Sequence, residues 1–495
     1  MEYSLSIPGR DIETLSENIR RQIMHRLKKI GSLCPRKPGE FPQSRLGIGF
    51  EKLDRAVFDP EKAYDKLAAI GVKWIRLQSG WQRTERTPGV YDFEWLDSIV
   101  DNLISRGMQP WMCLCYGNEL YDERAKTVYG AVGCPPIHTE EQRMAWYNYV
   151  KAVAEHYAGR VTAFEIWNEP DGKWCWKHGV NATEYGEFAV NTAKALRAGN
   201  PDSYIIGGAL CLNPCSYMNR AMQTGMGDLI DALSYHEYVY DEGLVEQKVR
   251  ALRGIANFWN PKLDIIQGES GAQSRPGGHG ALEEGNWTPE RQAKILLRHM
   301  TKDLICGVKF TSYFTCVDMI EALHGTVGDK SSYLDYGYFG VLGADFDEDG
   351  FSTGDYEPKK SYYALQNLNA VLGGNLVNYD LPVTIIKEAA SMNGGAPALS
   401  ASDVTVGGFR LDNGSYAFAY WYPTNLMTTV YTGTVTVTQA VSDEVHLIDP
   451  MDGSVYELPE SVIRRDGFGA SRLSNIPIKD YPMFLVFGEL PKLKD

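Results

Sequence analysis

The chain has 495 residues, 44% hydrophobic and 23% charged, as in an ordinary soluble globular protein. A net charge of −14 argues against nucleic acid or an anionic membrane surface as a partner, because both bind basic faces. The sequence has no stretch of the ~20 apolar residues that a membrane span needs. It begins without a recognisable secretory signal, and its nine scattered cysteines include no CxxC pair. We therefore expect a cytoplasmic protein with free thiols.

Short apolar runs alternate with longer amphipathic runs from residue 45 to residue 373. This alternation is typical of a parallel sheet covered by helices. Eight repeats favour an α/β fold of the closed (β/α)8 TIM barrel type. The alternative is a doubly wound sheet, but no GxGxxG follows the first strand. The eight predicted strands span residues 46–51, 72–78, 109–116, 161–167, 204–210, 232–239, 264–269 and 308–315.

Start and stop signals place helices between these strands. Asp59 is a predicted N-cap, Pro60 follows it in the first turn, and Gly71 is a predicted left-handed terminator. Thr139 begins a capping box, and Thr288 precedes a proline at the start of another helix. These signals predict helices after the first, third and seventh strands.

The pattern changes after residue 373, where short alternating strands and two-residue hairpin signals take over. This change predicts a C-terminal antiparallel β-sandwich domain at 374–495, after a catalytic barrel at 45–373. Residues 1–44 are predicted to form an N-terminal extension with one helix over 13–30. The predicted C-terminal strands are 404–410, 415–422, 432–438, 445–448 and 484–487.

Two glutamates end predicted strands on opposite sides of the barrel. Glu169 follows strand four, and Glu269 ends strand seven. Barrel enzymes carry their chemistry at the C-terminal ends of the strands, so both carboxyls should face one cleft. Glycosidic bond cleavage needs such a pair, with one carboxyl protonated and the other ionised. The two positions therefore predict a glycosidase site.

The run Phe-Glu-Ile-Trp-Asn-Glu-Pro at 164–170 resembles the acid/base motif of clan A glycoside hydrolases. It is most similar to family 39, whose members include β-xylosidases and α-L-iduronidases. Glu269 matches the position of the clan's nucleophile. The resemblance covers about residues 45–372, and it is specific at strands four and seven and looser in the loops.

The resemblance implies roles for further residues. Glu169 would be the general acid/base and Asn168 would hydrogen-bond the sugar 2-hydroxyl. Tyr238 would donate to the nucleophile, with His236 on the same face of strand six. Arg76 resembles the clan's buried arginine near the nucleophile. Independently of the family, we expect Glu165 to be a buried partner of Arg76 or of a neighbouring strand.

Other positions depart from the clan pattern and leave the sugar open. Strand eight has Tyr313 and Phe314 where many members have a tryptophan below the first sugar. Tyr116 follows strand three, where some families have a histidine. Trp174 and Trp176 follow strand four, and they are equally suited to stacking on a sugar and to packing the loop.

Together these features predict a retaining O-glycoside hydrolase that acts on oligosaccharides or small glycosides by double displacement. Its partner would be a carbohydrate substrate, with no metal, organic cofactor, nucleic acid or membrane required. The sequence leaves homo-oligomerisation open. A transglycosylase that uses the same intermediate, or a non-catalytic carbohydrate-binding barrel, remains an alternative.

Overall fold

The computed structural model describes residues 27–126, 131–212, 214–321, 334–386, 390–392 and 403–494. Within these ranges, eight parallel strands pair in chain order and close into a barrel. The predicted (β/α)8 barrel is thus confirmed. Its strands are β1 (Leu46–Gly49), β2 (Trp74–Gln78), β3 (Gln109–Leu114), β4 (Ala163–Ile166), β5 (Tyr204–Leu210), β6 (Ala232–His236), β7 (Asp264–Ser270) and β8 (Thr311–Tyr313).

One longer helix follows each barrel strand, and the predicted caps are present. Asp59 caps the 3-10 turn that leads into α1, and Gly71 closes that helix with a φ of 91°. The side chains of Thr139 and Thr288 cap α3 and α7. In the described part of the chain, no helix is long and apolar enough to span a membrane. The helices are α1 (Tyr64–Ile70), α2 (Glu94–Ser105), α3 (Glu140–His156), α4 (Ala182–Gly199), α5 (Cys215–Met222), α6 (Gly243–Trp259), α7 (Pro289–Ile305) and α8 (Lys360–Leu372).

Several short elements lie in the loops. One α-turn, Trp81–Thr84, follows β2. Three small antiparallel ribbons pair Glu85–Thr87 with Val90–Tyr91, Met319–Ile320 with Tyr336–Gly337, and Leu342–Phe346 with Ser352–Pro358. The 3-10 turns are Pro38–Glu40, Leu53–Arg55, Pro60–Lys62, Glu123–Lys126, Met226–Asp228 and Glu460–Val462.

A cluster of apolar side chains fills the lower part of the barrel. Trp111 and Phe310 pack edge to face there, among small and branched residues from neighbouring strands. The Arg76 guanidinium lies 5.5 Å above the Trp111 ring. The interior therefore changes from apolar to charged towards the C-terminal ends of the strands, where a barrel enzyme binds its substrate.

The C-terminal part forms a domain of antiparallel sheets, as predicted. In the described residues, one sheet orders its strands as Lys28–Ser32, Ser454–Glu457, Val445–Asp449, Met483–Phe487, Tyr416–Trp421, Thr405–Arg410 and Val377–Asn378. The other orders Val383–Ile386, Tyr431–Gln439, Ser471–Lys479 and Ile463–Arg465, and Ala390–Met392 also pairs with Tyr431–Gln439. All five predicted strands are present, whereas the domain boundaries remain a prediction.

The N-terminal prediction was partly wrong. Residues 1–26 of the predicted extension lie outside the described residues, but Lys28–Ser32 is a strand rather than the end of a helix. It pairs antiparallel with Ser454–Glu457 and lies at the edge of the C-terminal sheet. A partner more than 400 residues away in sequence supplies its hydrogen bonds, so tertiary pairing overrides the local helical pattern.

Candidate active site

Four strands deliver charged side chains to the C-terminal mouth of the barrel. Arg76 comes from β2, His236 from β6 and Glu269 from β7, and Glu169 follows β4. Glu169 has a φ of 46°, a left-handed conformation that is uncommon for residues other than glycine and that clusters at functional sites. The mouth therefore brings together the two predicted catalytic glutamates and their predicted partners.

A bulge in β7 makes room beside the second glutamate. The register with β6 shifts between Gln267 and Glu269, so that Gly268 is the extra residue. A Cβ atom on Gly268 would lie 3.1 Å from a Glu165 oxygen and 3.3 Å from His236 Nε2. Only a glycine leaves both neighbours undisturbed, and the bulge sets the position of Glu269.

Arg76 uses all five of its N–H groups in the barrel interior. Nε and Nη2 donate to Glu165 Oε2 at 3.0 and 2.6 Å, and Nη2 also donates to Asn168 Oδ1 at 2.9 Å. Nη1 donates to Glu269 Oε2 at 2.7 Å and lies 3.3 Å from Glu51 Oε1. The expected contact between Arg76 and Glu165 is present. Such a fork fixes the guanidinium and every oxygen that it contacts.

Glu269 is surrounded by donors. In addition to Arg76, the Tyr238 hydroxyl donates to Glu269 Oε1 at 2.5 Å. Burial alone would raise the pKa of Glu269. The charges of His236, Arg76 and Lys52 and the Tyr238 hydrogen bond outweigh burial and lower that pKa below its ordinary value. Glu269 is thus held as a carboxylate, the form that a nucleophile needs.

Glu169 has a partner on each oxygen. His236 Nδ1 lies 2.9 Å from Oε1, and the Trp174 indole N–H donates to Oε2. The same His236 nitrogen lies 3.7 Å from Glu269 Oε2. Burial favours the neutral imidazole, but the two glutamates together raise the pKa of His236 above its ordinary value. The histidine therefore bridges the two carboxyls, and their charges favour its protonated form.

The separation of the two carboxyls is short. An oxygen of Glu169 and an oxygen of Glu269 lie within 4.8 Å of each other. Retaining glycosidases hold their carboxyls ~5–5.5 Å apart, and inverting enzymes leave ~6.5–9.5 Å for a water molecule. The distance suits direct attack by one carboxylate.

The described residues also contain a group that could be considered for a metal ion. It consists of Glu169, His236 and Glu269. However, Arg76 and Tyr238 already donate to both oxygens of Glu269, and a cation would have to share Oε2 with a guanidinium. The donor set therefore suits proton transfer better than cation binding.

The loop residues predicted to bind substrate separate into two groups. Trp174 is 45% exposed at the mouth, whereas Tyr116, just after β3, is only 5% exposed and packs with its ring edge against Trp167. Trp176 is fully buried, with its ring packed against Trp167 and Phe188. A sugar cannot stack on a buried ring, so of the two roles left open for Trp176 the structure favours packing of the loop.

Strand eight offered Tyr313 and Phe314 as alternatives. Tyr313 is 1% exposed, and its hydroxyl donates to the Ala272 carbonyl at 3.4 Å. The next residue, Phe314, packs near Tyr238 at 6.5 Å between ring centroids. Of the two alternatives, Phe314 is the one that packs against a residue hydrogen-bonded to Glu269.

Three charged residues at the mouth escaped the sequence analysis. Glu51 follows β1 and approaches Arg76. Lys52 Nζ lies 2.9 Å from Glu321 Oε2. The positive charge of Lys52 helps to lower the pKa of Glu269, and the negative charge of Glu269 helps to raise the pKa of Glu321. Their positions after β1 and β8 were the available signal, because side chains beyond the C-terminal ends of barrel strands face the cleft.

Comparison with known proteins finds sequence similarity to glycosidases. Residues 68–247 match the family model described as "Glycosyl hydrolases family 39". A beta-xylosidase of Caldicellulosiruptor saccharolyticus is 26% identical over 208 residues, 37% of this chain. That match covers 41% of the relative, so the similarity extends over less than half of its length.

Solved structures share the fold. A family 39 glycoside hydrolase from Bacteroides cellulosilyticus WH2 aligns with a TM-score of 0.62 and 18% identity, over 92% of this chain and 83% of that one. A monomeric beta-xylosidase from Caulobacter crescentus CB15 aligns with a TM-score of 0.56 and 16% identity, over 93% of this chain and 98% of that one. These structures confirm the fold, and the family-model match over residues 68–247 confirms the resemblance to family 39.

Proposed function

From its membership of glycoside hydrolase family 39 over residues 68–247, we propose that this protein is a retaining O-glycoside hydrolase. The observation that carries the proposal is the pair of Glu169 and Glu269 oxygens within 4.8 Å. That spacing suits double displacement, in which a carboxylate attacks the sugar and no water lies between the two groups.

In the first step, Glu269 attacks the anomeric carbon while Glu169 gives its proton to the departing oxygen. The C–O bond to the leaving group breaks and a glycosyl ester to Glu269 forms. Arg76 and Tyr238 support this step, because their hydrogen bonds keep Glu269 ionised before the attack. The same donors stabilise the carboxylate again when it leaves.

In the second step, Glu169 takes a proton from water, and the water oxygen attacks the anomeric carbon. The ester to Glu269 breaks, and the product keeps its original anomeric configuration. Two inversions at one carbon give this retention. His236, which contacts both carboxyls, is placed to keep Glu169 oriented through both steps.

The substrate is a carbohydrate glycoside. Asn168 is placed to bind the sugar 2-hydroxyl, because Arg76 holds its carbonyl oxygen and so fixes the orientation of the amide. Trp174, which is exposed at the mouth, would contact the sugar from the loop after β4. Since the matched relatives include two beta-xylosidases, β-xylosides are the first substrates to examine.

A panel of aryl glycosides tests this proposal, with Glu269→Ala and Glu169→Ala as variants. Both should lose activity on ordinary aryl glycosides. Azide should restore turnover of an activated substrate by Glu169→Ala, because that variant still forms the glycosyl intermediate and azide replaces water as the nucleophile. Wild-type protein that binds sugars without turnover would instead support a carbohydrate-binding barrel. Alkyl glycosides formed in the presence of alcohols would reveal transglycosylation.

A cytoplasmic location is part of the proposal as well. All nine cysteines in the described residues are unpaired, and five of them are buried. Free buried thiols are typical of proteins that fold in a reducing compartment. Fractionation of the cells that make the protein tests this point, and recovery outside the cell membrane would contradict it.

A further inference from the structure

Besides Glu165, a second buried acid contacts Arg76 together with the nucleophile. Glu51, only 1% exposed, follows β1, and its Oε1 is 3.3 Å from Arg76 Nη1. Its other oxygen accepts a hydrogen bond from the Thr315 hydroxyl at 3.1 Å. A Cβ atom on Gly49 would lie 2.0 Å from Glu51 Oε2, so the glycine is needed for Glu51 to occupy this place. The chain is therefore built around a buried acid that the double-displacement mechanism does not use.

Glu51 and the nucleophile share one nitrogen. Arg76 Nη1 donates to Glu269 Oε2 at 2.7 Å and lies 3.3 Å from Glu51 Oε1, so its positive charge is divided between them. The other side of the guanidinium is occupied by Glu165 and Asn168. Arg76 cannot turn away from either partner, and a change of charge on Glu51 must alter what Glu269 experiences.

We propose that Glu51 is a positioning residue for the nucleophile, whose charge state sets how much of the positive charge of Arg76 reaches Glu269. The inference rests on the proposed glycosidase function and adds to it a pH-dependent control of the same site. Glu51 acts through Arg76 and does not touch the sugar.

The surroundings of Glu51 place its ionisation near neutral pH. Burial, together with the charge of Glu269, raises the pKa of Glu51 to about 7 against the opposing effect of Arg76. The charged or titratable groups that face it are Arg76 on β2, Glu269 on β7 and the Cys316 thiol after β8. At lower pH, protonated Glu51 leaves the charge of Arg76 to Glu269. At higher pH, ionised Glu51 competes for that charge and adds a negative charge beside the site.

Glu51→Gln tests the inference, because the amide has the shape of the protonated acid but cannot ionise. The pH profile of kcat/KM is measured for the wild type and the variant on an aryl glycoside. The two profiles should coincide below about pH 6, where wild-type Glu51 is protonated and, like the glutamine, carries no charge. Above pH 7, Glu51 of the wild type carries a negative charge, and this charge disfavours the loss of a proton from the neighbouring catalytic groups. The alkaline limb of Glu51→Gln should therefore lie about half to one pH unit lower.

Asp303 supplies a matched control. It is a second buried acid with a pKa raised by burial to about 7, but it lies on α7 and accepts hydrogen bonds from Tyr235 and Thr311. Asp303→Asn should leave the pH profile of kcat/KM unchanged. A shift of equal size in both variants would overturn the inference. It would mean that removing any buried acid shifts the profile, whether or not that acid contacts Arg76.

Two other results would also overturn it: a Glu51→Gln profile identical to the wild type at every pH, or an equal loss of kcat/KM at every pH. If Glu51→Gln does not fold, Thr315→Val removes the hydrogen bond to Glu51 Oε2 and should keep Glu51 protonated to higher pH. Its alkaline limb should then also move to lower pH, and an unmoved limb would contradict the inference. A wild type without glycosidase activity would overturn the proposed function itself.

Discussion

Removal of the Tyr238 hydroxyl should weaken the ionisation of the nucleophile. This hydroxyl donates to Glu269 Oε1 at 2.5 Å in a buried setting. A hydrogen bond to a charged group contributes about 1.5–3 kcal/mol, which corresponds to about 1–2 pKa units. The pKa of Glu269 is lowered by its partners, so loss of one partner raises it. The acidic limb of kcat/KM in Tyr238→Phe should therefore move to higher pH by about 1–2 units.

The assay is the pH profile of kcat/KM on an aryl glycoside, measured beside Tyr235→Phe. Tyr235 lies on β6, the strand that Tyr238 follows, but its hydroxyl donates to Asp303 on α7 and not to the nucleophile. That control should keep the wild-type acidic limb. An acidic limb that stays in place in Tyr238→Phe would refute the claim that this hydroxyl holds Glu269 ionised. An equal shift in Tyr235→Phe would show that the effect does not depend on the hydrogen bond to Glu269.

Two further predictions concern the acid/base and the stability of the barrel. Trp174→Phe keeps an aromatic side chain but removes the N–H that donates to Glu169 Oε2, so kcat/KM should fall about tenfold on glycosides with poor leaving groups and less on activated ones. Equal losses on both substrate types would show that the N–H does not serve proton transfer. Since burial raises the pKa of Asp303 to about 7, the folded wild type loses stability as pH rises through the range between the unfolded and folded pKa values. Relative to the wild type, Asp303→Asn should gain roughly 3 kcal/mol in the free energy of unfolding between pH 5 and pH 8, measured by denaturant titration, and a pH-independent difference would contradict this.

Much of the barrel was predictable because its signals are local. Strand and helix periods, the caps at Thr139 and Thr288, and the glutamates that end two strands all lie within short stretches of sequence. The rule that chemistry gathers at the C-terminal ends of strands then placed Glu169 and Glu269 at one mouth. These features need no knowledge of distant contacts.

The missed features depend on tertiary contacts. Trp174 and Trp176 are two residues apart in a loop without a regular period, and only the packing of Trp176 against Phe188 decides which ring is buried. Lys28–Ser32 becomes a strand because a distant strand pairs with it. Glu51 is a single acid after β1, and its contact with Arg76 can be seen only in the folded structure.

The central claim is that Glu269 attacks the sugar directly while Glu169 acts as acid and base. The most direct test is the anomeric configuration of the first-formed product, followed by NMR during turnover of a glycoside of known configuration. We predict that the released sugar first appears with the configuration of the substrate and then mutarotates. First appearance of the opposite anomer would mean that water attacks in a single step, which would contradict the account.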